Sequence, residues 1–263
     1  EKTVSYGGGT KNGPKEIIKA SHQVELFDEE LNKEPYKEIG IKTLKPFAIK
    51  KNIDQALKQL SKINKRIIDN SKFPLVFGGE HSITPGSIEP IANKYDNITL
   101  LHFDAHADLR ESYQGEKFSH ASAIKRCLDY KNVKVVSFGI RNLSKTEMDF
   151  YNENRDRIEI FWCKDKKNWD LGQINQFFEN KTVYITFDVD GFDASIMPAT
   201  GTPEPGGLLW DEVLPIIKNV CKISNIIGVD INELAPIKNF DSYNFLVAKL
   251  AYKIISYSFE FKN

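Results

Sequence analysis

The chain has 263 residues, with 36 basic and 36 acidic side chains, so its formal net charge is zero. Apolar residues make up 41% and charged residues 27%, the balance of a folded globular protein. These figures exclude a protein that coats nucleic acid through a basic excess, and they exclude a long charged, disordered tail. No uncharged apolar run approaches the ~20 residues of a membrane span, and the polar opening Glu1-Lys2-Thr3 is not expected to belong to a signal peptide. Neither nucleic acid nor membrane is expected as a partner. Cys127, Cys163 and Cys221 lack the CxxC spacing of a thiolate zinc site. Reduced, buried thiols in a cytoplasmic protein are the expectation. Length and the lack of any linker-like break make residues 1–263 one domain.

Gly13-Pro14 can open a short helix, and Val24 to Phe27 is a weak strand candidate. Ile53, Ala56, Leu57, Leu60, Ile63, Ile67 and Ile68 share one helical face, with Asn52 as N-cap. Short apolar runs follow at 75–77, 98–103, 133–138, 158–162, 183–189 and 226–231, and each reads as a buried strand. Ser144 to Glu147 forms a capping-box pattern, and 211–224 and 242–258 read as helices. Strands alternating with helices imply βαβ units and a parallel sheet.

Ligands of such sheets bind at the carboxyl ends of the strands. The run at 75–77 is followed by Gly78-Gly79-Glu80-His81-Ser82, and the run ending at Phe103 by Asp104-Ala105-His106-Ala107-Asp108. Phe187 is followed by Asp188-Val189-Asp190, and Val229 by Asp230-Ile231-Asn232-Glu233. On an extended backbone Asp104, His106 and Asp108 would point to one side, as would Asp188 and Asp190. With His81 they make four carboxylates and two imidazoles, more than one zinc accepts. They suit two divalent ions bridged by carboxylates, Mn²⁺ or a similar metal, sharing a water of lowered pKa. His102 is read as a core histidine or a support behind the ligands, and Asp193 and Asp230 as turn or cap residues.

These stretches, with Ser119-His120-Ala121-Ser122, Thr200-Gly201-Thr202-Pro203, Gly206-Gly207 and the early Ser5-Tyr6-Gly7 and Gly13-Pro14, resemble the ureohydrolases: arginase, agmatinase and relatives. The match runs in the family's order from about Ser5 to Pro236. It implies a three-layer αβα sandwich with a mostly parallel eight-stranded sheet, related to the arginase and deacetylase folds. It also implies two Mn²⁺, one held by His81, Asp104, Asp108 and Asp188, the other by Asp104, His106, Asp188 and Asp190. The family begins with a strand before this loop, so an N-terminal strand is expected to precede Glu1. The resemblance further implies a trimer or hexamer.

The implied reaction is hydrolysis of a small cationic guanidine to urea and an amine. Asp108 would receive the proton of the attacking water, Glu233 would pair with the planar cation, and His120 would protonate the leaving amine. Thr202 matches a position near the guanidinium. Arginases carry Asn two residues before the histidine, where this chain has Phe118-Ser119-His120. The segment from Asp108 to Ser122 and Gly139-Ile140-Arg141 look like agmatinases, which points to agmatine, putrescine and polyamine biosynthesis. Ala194, Ala199 and Asn232 depart from the family pattern, leaving arginine, guanidinobutyrate and formiminoglutamate as alternative substrates. Readings from other classes are a single-zinc deacetylase-like amidohydrolase, which does not need Asp108 together with Asp190, and a non-catalytic metal-binding protein.

Overall fold

The computed structural model describes residues 1–262. Its six strands are β1 (Leu75–Phe77), β2 (Ile98–Phe103), β3 (Val133–Phe138), β4 (Ile158–Phe161), β5 (Thr182–Asp188) and β6 (Asn225–Asn232). They form one sheet in the order β1-β6-β5-β2-β3-β4, and every pairing is parallel. The α-helices are α1 (Gly13–Ser21), α2 (Tyr36–Ile39), α3 (Ile53–Asp69), α4 (Thr84–Ala92), α5 (Ala123–Cys127), α6 (Lys145–Glu153), α7 (Leu171–Asn175), α8 (Trp210–Ile223) and α9 (Ser242–Glu260).

Strand side chains alternate between two apolar cores, one on each face of the sheet. Leu101, Phe103, Val136, Phe138, Ile185 and Phe187 enter one core, together with Val213, Ile217 and Val247 of α8 and α9. Leu100, Val133, Val135 and Tyr184 enter the other, together with Ile68 of α3 and Ile88 and Ile91 of α4. Helix boundaries follow local chemistry. The Asn52 side chain accepts from Gln55 N at 3.1 Å, and Ser144 and Glu147 close the capping box of α6. All three cysteines are free and buried. Among the described residues no helix is long and apolar enough to cross a membrane.

The α/β class and the parallel sheet match expectation, but the described residues hold six strands rather than eight. Val24 to Phe27 is not a strand. Val24 alone is buried, its N–H closes the turn after α1 at Ser21 O, and Phe27 is 49% exposed. Glu25, Leu26 and Phe27 are exposed, so water can satisfy their backbone groups and no sheet edge is required.

After β2 the chain moves to β3 and β4 on one side; after β5 it moves to β6 on the other. The crevice between the carboxyl ends of β2 and β5 is therefore the switch point of the sheet, where such folds bind ligands.

Candidate active site

Four strand ends deliver the predicted residues to this crevice. Asp104 follows β2, Asp188 ends β5, His81 is the fourth residue after β1, and Glu233 follows β6 directly. Each of three carboxylates gives one oxygen to a backbone N–H. Asp104 Oδ1 accepts from His106 N at 2.6 Å, Asp188 Oδ1 from Asp190 N at 2.9 Å, and Asp190 Oδ1 from Ala105 N at 2.9 Å. Those bonds fix the rotamers and turn the second oxygens inward. His81 Nδ1 lies 3.0 Å from Asp104 Oδ2, 3.2 Å from Asp108 Oδ2 and 3.4 Å from Asp188 Oδ2. His106 Nδ1 lies 3.0 Å from Asp190 Oδ2 and 3.4 Å from Asp104 Oδ1. All six predicted ligands thus meet in one cluster.

The path to that cluster differs from simple alternation. Asp108 has φ 52°, so the segment after Asp104 is not extended; a left-handed residue swings Asp108 to His81 while His106 faces Asp190. Glu233 is also left-handed, at φ 66°, with its N–H bonded to Gly79 O at 2.8 Å and its Oε1 accepting from His81 N at 2.6 Å. A glutamate in this region costs roughly 1–3 kcal/mol, and such strain concentrates at functional sites. Gly139 at φ 94° serves close approach, because a Cβ there would sit 2.8 Å from Asp104 O.

Above the cluster is a cavity of about 200 Å³ lined by His81, Asp108, Asp188, Asp190, His120, Thr202 and Glu233, among others. Thr202 Oγ1 donates to Asp190 Oδ2 at 3.4 Å. Every predicted site residue therefore borders one space or the ligand cluster beneath it.

A family model described as Arginase family matches residues 1–256. This chain belongs to the arginase family. It is 34% identical to the N(1)-aminopropylagmatine ureohydrolase of Synechocystis sp. (strain ATCC 27184 / PCC 6803 / Kazusa), over 98% of this chain and 86% of that protein. It is 34% identical to the agmatinase of Bacillus anthracis, over 89% and 80% of the two chains. The solved agmatine ureohydrolase of Thermoplasma volcanium superposes with a TM-score of 0.87 at 27% identity, covering 99% of this chain and 87% of that one. The chain is an arginase-family ureohydrolase.

The donor set of this ureohydrolase fits a pair of divalent ions. His81 Nδ1 is buried and none of its carboxylate contacts is aligned as a hydrogen bond. On the opposite edge of the ring, Nε2 lies 2.8 Å from Thr186 Oγ1, whose own proton goes to Asp230 Oδ1 at 2.6 Å. Thr186 must therefore accept from Nε2–H, which puts the lone pair of the neutral ring on Nδ1, facing three carboxylates. A lone pair among carboxylate oxygens calls for a cation. Carboxylates with imidazoles suit a divalent metal ion.

Electrostatics agree. Burial, reinforced by the charges of Asp190 and Asp104, pushes Asp188 well above the usual carboxylate range, and burial with Asp104 brings Asp108 to about 7. Burial opposes charge on His106, yet Asp190 and Asp104 raise it to about 12. Burial likewise opposes charge on His81, and its carboxylate contacts outweigh that cost. In the metal-free chain these groups hold protons that the unfolded chain has lost, so stability falls as pH rises from about 4 towards 8. Burial lowers His102, which opposes this trend. A divalent ion replaces the held protons. Mn²⁺ is accordingly expected to raise the melting temperature more at pH 8 than at pH 5; equal shifts would contradict this charge balance.

Some contributors were less visible in the sequence. His102 Nε2 contacts Asp104 Oδ2 at 3.0 Å and Nδ1 contacts Ser137 at 2.9 Å, so it supports Asp104 from behind. Asp193 is the expected turn residue, accepting from Ser195 N at 3.0 Å and Gly207 N at 2.8 Å. Asp230 is neither a turn nor a cap residue. It is a buried strand residue that receives Thr186, Thr84, Tyr184 and Asn232, and through Thr186 it orients His81. Asn232, a departure from the family pattern, thus joins this network. Arg141 donates to Asp190 O and Glu204 O, both at 2.8 Å, tying the backbone after β5 to the loop beyond Thr202.

Proposed function

We propose that this ureohydrolase cleaves agmatine to putrescine and urea with two Mn²⁺ ions. His81, Asp104, Asp108 and Asp188 hold one ion, and Asp104, His106, Asp188 and Asp190 hold the other. The observation that carries the reading is Glu233, held in a left-handed conformation beside the carboxylate cluster within the same cavity. A carboxylate there offers two oxygens to a planar guanidinium, and the guanidinium carbon is set beside the cluster. The ions, when bound, supply a water acidic enough to attack a resonance-stabilised carbon.

The side chains then manage protons. Asp108, whose pKa is brought near 7 by burial, receives the proton released as the carbon becomes tetrahedral. Burial lowers the pKa of His120, so its neutral ring is free to take up a proton and hand it to the leaving nitrogen. Thr202, at the cavity wall, offers a hydroxyl to the guanidinium. Agmatine is favoured over arginine because Phe118 stands where arginases place the asparagine that helps hold an amino-acid head. The name of the Bacillus anthracis relative supports the same choice, whereas that of the Synechocystis relative names N(1)-aminopropylagmatine. We read the chain as one cytoplasmic enzyme domain of polyamine biosynthesis.

A panel of agmatine, N-aminopropylagmatine, arginine, guanidinobutyrate and formiminoglutamate, assayed with Mn²⁺ for urea or formamide release, tests the substrate. Agmatine is expected to give the highest kcat/KM. Preference for arginine or a guanidino acid would overturn the substrate while leaving the ureohydrolase class intact.

A further inference from the structure

Residues 1–7 form a strap of which Val4 to Gly7 line the cavity. This strap lies directly on the loop that carries Thr202. Gly7 has φ 62°, and a Cβ there would sit 2.6 Å from Gly201 O. Its anchor is Glu80, the residue before His81. Glu80 Oε2 accepts from Lys2 N at 2.5 Å, while Oε1 accepts from Thr3 N at 2.8 Å and from Thr3 Oγ1 at 2.9 Å. The strap is therefore tied to the core of the site by one carboxylate.

We propose that Thr3 and Glu80 are positioning residues that fix the tautomer of His120 and make Nε2 its proton-delivering atom. This inference rests on the reading of His120 as the acid for the leaving amine. Thr3 has one hydroxyl proton, and Glu80 takes it. The Thr3 oxygen is then an acceptor only. It receives His120 N–H at 3.1 Å and lies 3.2 Å from His120 Nδ1. A nitrogen facing a committed acceptor carries the hydrogen, so the neutral ring is the Nδ1–H form. Ser119 Oγ, 3.5 Å from the same nitrogen, is a longer and weaker contact.

Nε2 is left with the lone pair, facing Ser5 Oγ at 3.3 Å, whose hydroxyl donates to it. A proton taken up by this ring arrives on Nε2 and leaves from Nε2, while the Nδ1 proton stays bonded to Thr3. Tyr113 packs edge-on against the imidazole, with centroids 5.8 Å apart and planes at 77°, which holds the ring in this orientation. The order Glu80, Thr3, His120 follows a familiar logic, in which a carboxylate sets a hydrogen bond and the hydrogen bond sets which imidazole nitrogen works. Here a threonine hydroxyl stands between the two.

The tautomer is read from two-bond ¹⁵N–¹H correlations of the histidine rings. The protein carries five histidines, and His120 is assigned by loss of its signals in His120→Gln. Spectra are recorded at pH 8 on protein loaded with diamagnetic Mg²⁺. The expected result is Nδ1–H for His120 in the wild type and a shift to Nε2–H in Thr3→Val, with melting temperature as the folding control. With Mn²⁺, Thr3→Val is expected to lower kcat for urea release about tenfold, a fraction of what a positioned acid supplies, with KM within about twofold. Thr3→Ser keeps the hydroxyl and retains both the spectrum and kcat. An Nε2–H ring in the wild type overturns the proposal, as does a Thr3→Val protein with unchanged tautomer and kcat. The spectrum reports the tautomer whether or not urea is released, so failure of the functional reading is seen separately, as a wild type silent towards every guanidine.

Discussion

Asp190→Ala is expected to lower Mn²⁺ content from two ions per chain towards one and to cut urea release by roughly a thousandfold or more, about 4 kcal/mol of barrier. Asp190 Oδ2 faces His106 Nδ1 at 3.0 Å while Oδ1 is held by Ala105 N at 2.9 Å. The variant therefore removes an inward oxygen and releases the backbone turn that carries the next ligand. Asp190 does not touch His81, so the other ion keeps its proposed set. Metal analysis and kinetics must move together. A variant that keeps two ions and full turnover would remove Asp190 from the proposed ligand set.

Glu233→Gln should have an effect of similar size but on a different parameter. The amide keeps the shape of the carboxylate and can still occupy the left-handed position, yet it presents one acceptor oxygen and no charge to a cation. Breaking a buried pair by removing one partner costs about 3–5 kcal/mol, so kcat/KM is expected to fall by roughly 10²–10³-fold or more. Burial pushes the Glu233 carboxyl up to about 8, with the Glu80 charge adding to the rise. A cationic substrate would stabilise the carboxylate by supplying the missing counter-charge. Metal content should stay unchanged in this variant, which separates it from Asp190→Ala. Loss of metal from Glu233→Gln, or a kcat/KM within a factor of two of wild type, would remove Glu233 from the substrate-binding role.

Much of this site was legible because the chemistry sits at strand ends, where sequence punctuates most clearly. The apolar runs ending at Phe77, Phe103, Phe187 and near Ile231 are each followed within a few residues by a carboxylate or imidazole, and a parallel sheet brings those ends together. Local chemistry was equally readable at Asn52 and at the capping box of Ser144 and Glu147. Contacts formed only by tertiary packing were not. Asp230 looked like a turn residue because nothing near it in sequence shows that Thr186, 44 residues away, gives it a proton. Glu80 reaches back 77 residues to Thr3, a pairing no local pattern records. The left-handed backbone of Asp108 and Glu233 was hidden for a related reason: neither is glycine, and the conformation is imposed by partners such as Gly79 O. Val24 to Phe27 misled in the opposite direction, because apolar composition without a neighbouring sheet edge makes no strand.

In the proposed centre six side chains hold two divalent ions beside a guanidinium-binding carboxylate. The most direct test is to titrate metal-free protein with Mn²⁺ while following urea release from agmatine. Activity is expected to rise until two ions are bound per chain and then to level off, with putrescine formed in step with urea. Full activity with a single bound ion, or no urea from any guanidine at any Mn²⁺ content, would contradict the account.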